Sequence, residues 1–362
     1  MGVALLFRNL PVSYDLSYFW NLGSFLGKIL MIQISSGFLL VFYYSNSSFF
    51  SFDSVQYLMF EVNEGWFFRL LHFNFVSLFF IVSFLHFLKG FFYSSYRLKS
   101  VWSVGVILLV FLMLISFLGY VMVWSQMSFW AGIVITSLLG VVPYLGLDFI
   151  LFFWGAFIFG GNSLKFFFAL HFLLPFFLVF LVFFHLYFLH FYSSSSSLFF
   201  FSFFVKKSFY PFFWFKDLLN IFLVLVYFGF FLIAPFFFSD FLMFEEINFL
   251  VSPVHIVPEW YFLFAYAILR SFTSKVLGVF LLFLSILVFL GFVFLGSKKG
   301  LNDISNKSLV LVFVLLWFFL SWIGGALLEA PFLTLGWGFS WFYFLLVFLI
   351  FLNFVSVDFF FG

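Results

Sequence analysis

The chain has 362 residues, of which 66% are hydrophobic and only 8% are charged, and its formal net charge is +2. Because a soluble domain carries about 25% charged residues, this composition excludes a water-exposed globular surface and indicates a chain surrounded by a lipid bilayer, with no nucleic-acid partner. The absence of cysteine excludes disulfides, iron–sulfur clusters held by thiolates and covalent c-type haem attachment.

Eight apolar segments are long enough to cross a bilayer, which requires about 20 residues. The segment between the third and fourth, residues 124–150, mixes Gly, Pro and Ser with aromatic residues and predicts short interfacial helices. The predicted fold class is an all-α membrane protein with eight transmembrane helices. In chain order the predicted spans are A 20–43, B 66–92, C 101–123, D 166–192, E 217–237, F 276–296, G 308–326 and H 338–357.

Charge is distributed unevenly between the two sides of these spans. An even number of spans places both termini on one side, and that side carries most of the cations, whereas the other side collects most of the carboxylates. By the positive-inside rule, the termini are expected on the inner side of the membrane. The cations on that side are Arg8, Lys89, Arg97, Lys99, Lys206, Lys207, Lys216, Lys298, Lys299 and Lys307.

Four of the six histidines form two pairs with the same spacing. His72 and His86 are 14 residues apart on span B, and His171 and His185 are 14 apart on span D. Fourteen residues are close to four helical turns. The two histidines of each pair therefore lie on one face of their helix, about 21 Å apart along its axis. Spans B and D run in the same direction, so the predicted haem-iron ligands are His72 with His171 and His86 with His185, in a di-haem four-helix bundle of spans A–D. The alternative is core histidines with satisfied hydrogen bonds, but imidazoles inside a span are usually functional.

Glycines repeat the same spacing on the two other helices of this bundle. Gly23 and Gly37 on span A, and Gly105 and Gly119 on span C, are also 14 residues apart. A residue without Cβ allows the backbone to approach a flat cofactor closely. Because spans A and C run opposite to B and D, the first glycine of each span is expected level with His86 and His185, and the second glycine level with His72 and His171. Ordinary helix–helix packing at small residues is the alternative.

Two cations flank the predicted ligands on span B. Arg69 precedes His72 by three residues, and Lys89 follows His86 by three. Residues three apart lie on adjacent faces of a helix, and haem propionates are carboxylates that bind cations. The alternative is that both side chains snorkel to the membrane boundary.

Two segments resemble the cytochrome b family: GYVMVWSQMSFW at 119–130 and PEWYFLFAYAILRS at 258–271. The resemblance covers essentially the whole chain. The equal histidine spacing is similar to the respiratory form, and the Phe-rich composition with SPVHIVPEWY looks nematode-like. The resemblance implies a haem-binding bundle at 1–215 and a C-terminal membrane region at 216–362 that contains the PEWY loop. It also implies a multi-pass protein of the mitochondrial inner membrane with both termini in the matrix.

The function implied by this resemblance is that of the di-haem subunit of ubiquinol–cytochrome c reductase. Quinol is oxidised at the positive side, one electron passes to a Rieske iron–sulfur protein, and the other passes through two non-covalent b haems. The haem at His72/His171 is then the low-potential one and that at His86/His185 the high-potential one, which reduces quinone at the matrix side. Cytochrome c1, other complex III subunits and a homodimer of the complex are further implied partners.

The resemblance also assigns residues to the two quinone sites. Near the PEWY loop, Glu259 is expected to accept a quinol proton, Tyr266 to hydrogen-bond nearby, and Tyr120 and Phe129 to line the pocket.

On the matrix side, His190 and Asp217 are expected to supply protons to quinone, with Lys216 adjacent. For Glu259 the alternative is a solvated loop acid, and for His190 an interfacial histidine at a helix end.

Several positions depart from the family pattern. Val123 replaces a proline, Ser125 a glycine, and Ala131 stands where many relatives have glycine on the quinol-pocket helix. Lys89 stands where many relatives have arginine. Lys28 lies inside span A, where a charge is unfavourable, and its expected partner is either a haem propionate or the matrix quinone site.

Two other functions remain open from the sequence. One is a cofactor-free transporter with a proton relay of His and Glu, although no inverted repeat is visible. The other is an unrelated di-haem reductase, which would lack PEWY and a Rieske partner. His255 has no role that the sequence indicates.

Overall fold

The computed structural model describes residues 11–14, 16–192, 206–294 and 303–360, with backbone alone for 303–304 and 353–360. Arg8, Lys298 and Lys299 lie outside these residues. The α-helices are α1 Leu22–Val41, α2 Ser51–Phe60, α3 Gly65–Phe92, α4 Lys99–Val121, α5 Gln126–Ser137, α6 Gly146–Trp154, α7 Gly161–Tyr192, α8 Phe212–Ile233, α9 Leu263–Arg270, α10 Lys275–Gly291, α11 Asp303–Gly325 and α12 Phe332–Phe360. Short 3₁₀ helices cover Tyr18–Asn21, Ser95–Arg97, Leu138–Val141, Phe241–Met243, Trp260–Phe262 and Phe292–Phe294, and strands β1 Pro11–Ser13 and β2 Lys206–Ser208 pair antiparallel.

Eight helices in the described part of the chain are long and apolar enough to cross a membrane. They are α1, α3, α4, α7, α8, α10, α11 and α12, and they match spans A to H in number and order. The predicted all-α membrane fold is confirmed. Residues 124–150 form no span but the short α5, a 3₁₀ turn and most of α6, as expected; their location at the membrane interface stays a prediction.

Four of the spanning helices, α7, α8, α11 and α12, begin five or more residues earlier than the sequence predicted. For α7 and α12 the structure gives the reason, because their first turns contain polar or small residues that are typical of loops. Helix α7 begins at Gly161, five residues before predicted span D, and the Ser163 hydroxyl accepts the Gly160 N–H at 3.1 Å. Helix α12 begins at Phe332 and includes Gly336, where a Cβ would lie 2.6 Å from the Ser271 hydroxyl. In both cases local capping or close packing outweighs the low helix propensity of glycine.

The described residues form two compact units. The first comprises the described residues within Met1–Tyr43, Leu58–Gly105 and Leu181–Ser239, and in it α1 packs along α3 while α8 contacts both. Asn74, fully buried on α3, donates to the carbonyl of Pro235 at 3.0 Å, and Tyr227 on α8 donates to the carbonyl of Asn74 at 2.9 Å. A hydrogen bond of this kind contributes about 1 kcal/mol net, and leaving such buried groups unpaired is unfavourable.

The second unit comprises the described residues within Tyr44–Tyr57, Val106–Phe180 and Asp240–Gly362. Helix α9 packs against α10, α11 and α12, and glycine permits two of these approaches. A Cβ on Gly278 would collide with the carbonyl of Leu269, and one on Gly324 with the carbonyl of Leu263. A division into consecutive regions 1–215 and 216–362 stays a prediction of the resemblance.

An aromatic cluster fills the part of the second unit around α5. Trp124 is fully buried, and its ring lies 5.1 Å from that of Phe129 and 5.7 Å from that of Phe159. Leu118 and Phe167 complete its buried surroundings. This packing fixes the turn between α4 and α5, which carries the segment that resembles the family.

Candidate functional site

His72 on α3 is held by one turn of α1. The Gln33 side-chain amide donates to the backbone carbonyl of His72 at 3.0 Å, and the Ser36 hydroxyl lies 3.0 Å from His72 Nδ1. A Cβ on the next residue, Gly37, would lie 2.9 Å from His72 Cε1, which is closer than real Cβ contacts. Only glycine at position 37 therefore leaves this ring where it is.

His86 and His185 lie together in the first unit. Their ring centroids are 6.3 Å apart, with an angle of 64° between the planes. A Cβ at Gly23 would lie 3.6 Å from His86 Cε1, and one at Gly105 would lie 3.2 Å from His185 Cε1. The Nδ1 atom of His86 is buried and has no hydrogen-bond partner among the described residues.

His171 lies in the second unit, with its Nδ1 atom 2.8 Å from the backbone carbonyl of Ile115. A carbonyl oxygen can only accept, so Nδ1 carries the proton and Nε2 keeps its lone pair. A Cβ on Gly119 would collide with this ring, since Nδ1 and Nε2 both lie 3.0 Å from its position.

These surroundings fit haem ligation. Each of the four histidines faces one of the four glycines of matching spacing, and such a cradle accepts a flat group where a Cβ would not. A neutral imidazole with a protonated Nδ1 presents Nε2 as an iron ligand. Two ligands per iron are sufficient for a b haem. The pairing of His72 with His171 stays a prediction of the sequence.

The two cations near the ligands both lie against aromatic rings. The Arg69 guanidinium is 5.1 Å from the centroid of Phe73, and the Lys89 ammonium is 4.9 Å from the centroid of Trp20. Phe73 belongs to the same helix as Arg69, whereas Trp20 belongs to the 3₁₀ helix before α1. Contact of either cation with a propionate remains a prediction.

Glu259 lies beside other titratable groups in the second unit. Burial, together with the nearby charge of Asp240, raises the pKa of Glu259 to about 8. Burial raises the pKa of Tyr261 well above its usual range, and the electrostatic influence of Glu259 and Tyr120 adds to this shift. A carboxyl group with a pKa near neutrality suits proton transfer, and a solvated loop acid would not have this shift.

The loop before the PEWY segment is tied to the start of α5. The Gln126 side chain donates to the carbonyl of Val251 at 2.6 Å and accepts the Asn248 N–H at 2.7 Å. Phe129, from the same helix, is only 3% exposed and meets the Phe249 ring edge-on at 5.3 Å. The position of this loop therefore depends on α5.

Tyr266 is oriented by a neighbouring backbone group and a cation. Its hydroxyl donates to the carbonyl of Ile256 at 3.2 Å, and the Arg270 guanidinium lies 5.2 Å from its ring centroid. Arg270 in turn donates to the carbonyls of Ile323 and Ala326 at the end of α11, the latter at 2.6 Å. Tyr266 thus joins α9 to the loop before the PEWY segment, and Arg270 joins α9 to the end of α11.

Three residues in the segment 123–131 depart from the family pattern, and the backbone at one of them, Ser125, is unstrained. Trp124, not its neighbour, adopts the left-handed backbone conformation with φ of 57°, whereas Ser125 has φ of −93°. The Ser125 N–H donates to the Ser128 hydroxyl at 2.9 Å and so begins α5. Ala131 is 3% exposed within α5, where its small side chain fits the interior. Nothing in the structure explains Val123.

A polar network joins α1 and α8 in the first unit. The Ser24 hydroxyl donates to the Asp217 carboxylate at 2.7 Å, and the Lys28 ammonium donates to the backbone carbonyl of Asp217 at 2.7 Å. The Asn220 amide donates to the Ser24 hydroxyl at 2.8 Å, and the Tyr18 hydroxyl donates to the side-chain oxygen of Asn220. Lys28 therefore contacts the predicted matrix-side residue Asp217.

Of the other predicted matrix-side residues, Lys216 lies on α8 next to Asp217, and His190 lies on α7. Lys216 donates to the carbonyl of Leu16 at 2.6 Å, and His190 is exposed near the end of α7. His255 is half-buried in the loop before PEWY, and its Nε2 has no hydrogen-bond partner among the described residues.

Sequence reasoning missed residues that act through contacts between distant segments. Ser36, Ser24, Asn220 and Asp240 belong to no motif, and Ser and Asn are common in membrane helices. The available signal was periodicity: Ser24 and Lys28 are one helical turn apart on α1, as Asp217 and Asn220 are on α8.

An eight-span helical protein with interior imidazoles, each against a glycine, belongs to the class of membrane proteins built to hold planar cofactors. The family model described as Cytochrome b/b6/petB matches residues 7–193, and the one described as Cytochrome b(C-terminal)/b6/petD matches 246–344. The chain belongs to the cytochrome b family. Family membership implies haem b binding and electron transport within a membrane.

Individual relatives agree with this assignment. The chain is 48% identical to cytochrome b of Caenorhabditis briggsae over 94% of this chain and 92% of that one, and 47% identical to cytochrome b of Caenorhabditis elegans over 96% and 94%. It is 40% identical to cytochrome b of Apis mellifera ligustica over 94% and 90%. A solved chain of a hyperthermophilic respiratory Complex III superposes with a TM-score of 0.91 at 26% identity, covering 98% of this chain and 96% of that one. The nematode-like character of the sequence is confirmed.

Proposed function

We propose that this chain is the di-haem subunit of a ubiquinol–cytochrome c reductase, which oxidises quinol at one membrane face and reduces quinone at the other. The carrying observation is the arrangement of four interior histidines, each with its ring against a glycine of a neighbouring helix. The similarity to the chain of a respiratory Complex III supports its place in such a complex.

His72, His171, His86 and His185 are the proposed haem ligands. Bound b haems supply one-electron transfer between the two membrane faces. The chain's own contribution is to present neutral imidazoles in fixed orientations and to exclude Cβ atoms from the cradle. Arg69 and Lys89 are the proposed partners of the propionates, Lys89 as a point charge rather than a fork.

Glu259 is the proposed proton acceptor for quinol oxidation. Conversion of quinol to quinone releases two protons and two electrons, and a carboxylate within hydrogen-bond reach takes one proton from a quinol hydroxyl. The buried surroundings that raise the pKa of Glu259 make its carboxylate a stronger base than an ordinary one. Tyr120 and Phe129 line this pocket, and Tyr266 orients the segment that carries Glu259. One electron goes to a Rieske iron–sulfur protein in another chain.

The network around Asp217 is the proposed quinone-reducing site. Reduction of quinone to quinol consumes two protons, for which Asp217 and His190 are the proposed donors. The Ser24 hydroxyl holds the carboxylate at 2.7 Å and fixes its direction. The Lys28 ammonium donates to the backbone carbonyl of Asp217 at 2.7 Å and so keeps a positive charge beside the proposed site.

The remaining parts of the proposal follow from the family. We infer that both termini face the matrix side of the mitochondrial inner membrane and that net protons move outward. Cytochrome c1, the Rieske protein and further complex III subunits are the inferred partners, in a complex that is a homodimer. A transporter without cofactor has no use for glycines that match the histidine spacing.

The test is a reduced-minus-oxidised visible spectrum of the purified complex, with extracted haem counted against this chain. Two non-covalent b haems per chain are expected, and a His171→Leu variant should lose one of them together with quinol oxidation. A folded wild-type complex with no b haem would overturn the proposal and favour the transporter.

A further inference from the structure

The proposed haem ligands differ in what their Nδ1 atoms meet. His72 Nδ1 lies 3.0 Å from the Ser36 hydroxyl, and His171 Nδ1 lies 2.8 Å from the carbonyl of Ile115. His86 Nδ1 is buried without a hydrogen-bond partner in the described part of the chain. The four imidazoles are therefore not equivalent as electron donors.

Ser36 is placed to accept, not donate, the hydrogen bond to His72. It lies in the middle of α1 and is 2% exposed. Its Oγ is 2.8 Å from the carbonyl of Ile32 and 3.1 Å from that of Gln33, and carbonyl oxygens only accept. The hydroxyl proton therefore points along the helix, and an oxygen lone pair remains for the Nδ1–H of His72.

This acceptor fixes both the tautomer and the direction of the ring. With the proton on Nδ1, Nε2 is the nitrogen available to iron. Gln33, from the same turn of α1, donates to the backbone carbonyl of His72 at 3.0 Å and holds the segment that carries the ring. Gly37 places no Cβ against His72 Cε1, where one would lie only 2.9 Å away. Three residues within about one turn of α1 thus act on His72.

A ligand imidazole whose N–H donates to an oxygen is a stronger electron donor to its metal. Stronger donation stabilises ferric over ferrous iron and lowers the reduction potential, since hydrogen bonding around the ligands is one of the means by which a protein tunes that potential. At His86 no such acceptor is present among the described residues, so this lowering is missing there.

We propose that Ser36 is a positioning residue which, by accepting the Nδ1–H of His72, lowers the reduction potential of the haem held by His72 relative to that of the haem held by His86. This proposal rests on the proposed haem ligation. It gives the direction of electron flow between the two haems a physical cause in the chain itself, because electrons move from the lower to the higher potential.

The test is a redox titration of both b haems by visible spectroscopy in the purified complex. Ser36→Ala removes the acceptor. We expect the midpoint potential of the lower-potential haem, held by His72, to rise while that of the other haem stays at its wild-type value. A tenfold change in the one-electron equilibrium corresponds to about 59 mV, and we expect a rise of that order. The electron paramagnetic resonance spectrum of the same ferric haem should shift as well, which a purely structural role would not produce.

Two variants serve as controls. Ser36→Thr keeps a hydroxyl oxygen at the same place and should retain the wild-type midpoint. Ser340→Ala removes an equally buried hydroxyl that bonds the carbonyl one turn earlier, at Gly336, and should leave both midpoints unchanged. Wild-type midpoints in Ser36→Ala, with both haems retained, would overturn the proposal.

Loss of haem in Ser36→Ala also has a defined follow-up. Ser36→Cys keeps a weaker acceptor, because sulfur accepts hydrogen bonds poorly. The midpoint potential should then rise, but by less than the rise expected for complete removal of the acceptor. An unshifted midpoint in that variant would count against the proposal. Absence of b haem from the wild-type complex is a different result, which refutes the proposed function instead.

Discussion

Replacement of Glu259 by Gln tests the proposed quinol chemistry directly. Glutamine keeps the size and a hydrogen-bonding oxygen but cannot accept a proton as a carboxylate does. General-base catalysis contributes about 10²–10⁴-fold to a rate, so we expect kcat/KM for quinol to fall by about 100-fold or more, with b-haem content unchanged. The assay is quinol-dependent reduction of cytochrome c by the purified complex.

The pH dependence makes this prediction quantitative. Because the pKa of Glu259 is raised to about 8, the group is mostly protonated at neutral pH and gains its basic form as pH rises. Roughly a tenth of the carboxyl groups are ionised at pH 7 and roughly nine tenths at pH 9, so kcat/KM should rise roughly nine-fold between these values. The Gln variant should lose this rise.

Asp240 provides a matched control for the cause of the shift. Its charge is the smaller of two causes that raise the pKa of Glu259, burial being the larger. Asp240→Asn removes the charge and should move the midpoint of the pH profile downward without restoring the value of an exposed carboxyl. The Leu242 N–H donates to the Asp240 carboxylate at 2.8 Å, and the oxygen of an Asn side chain can accept the same hydrogen bond. A Glu259→Gln enzyme with the wild-type pH profile would refute the role of this carboxyl.

Other predictions concern the haem cradle and the matrix-side network. Gly119→Ala should lower haem content and reduce stability by about 1–3 kcal/mol, as overpacking does, whereas Gly23→Ala meets His86 only at ordinary contact distance and should be tolerated; haem-to-protein ratios and thermal unfolding measure both, and equal effects would contradict the cradle. Asp217→Asn should slow oxidation of the reduced high-potential haem by quinone by about 10²-fold, measured by stopped-flow absorbance, while first-turnover quinol oxidation stays normal. Lys28→Met should raise the apparent KM for quinone at that step, because it removes the charge and the bond to Asp217; an unchanged KM would assign Lys28 a purely structural role.

The sequence determined the features that depend on composition and helical periodicity. The spans could be predicted because a bilayer requires about 20 apolar residues and little else meets that condition in a chain with 8% charge. The spacing of His72 and His86 predicted one helix face, and α3 indeed runs unbroken from Gly65 to Phe92. Family membership was recognisable from PEWY and its flanking residues, because such a run rarely arises by chance.

Tertiary structure decided the features that arise when distant segments meet. The start of α7 depends on capping by Ser163, which composition does not signal. The partners of Asp217 come from α1, 193 positions away at Ser24, and no local pattern predicts a contact of that separation.

The Lys28 partner illustrates the physical reason most clearly. The sequence showed that a charge inside span A needs compensation, because an unsatisfied ammonium in a membrane is unfavourable. It did not show which of two acceptors supplies it. Only the packing of α1 against α8 brings the carbonyl of Asp217 to 2.7 Å from that ammonium. Helical periodicity determines which residues share a face, whereas the identity of the facing residue depends on how whole helices pack.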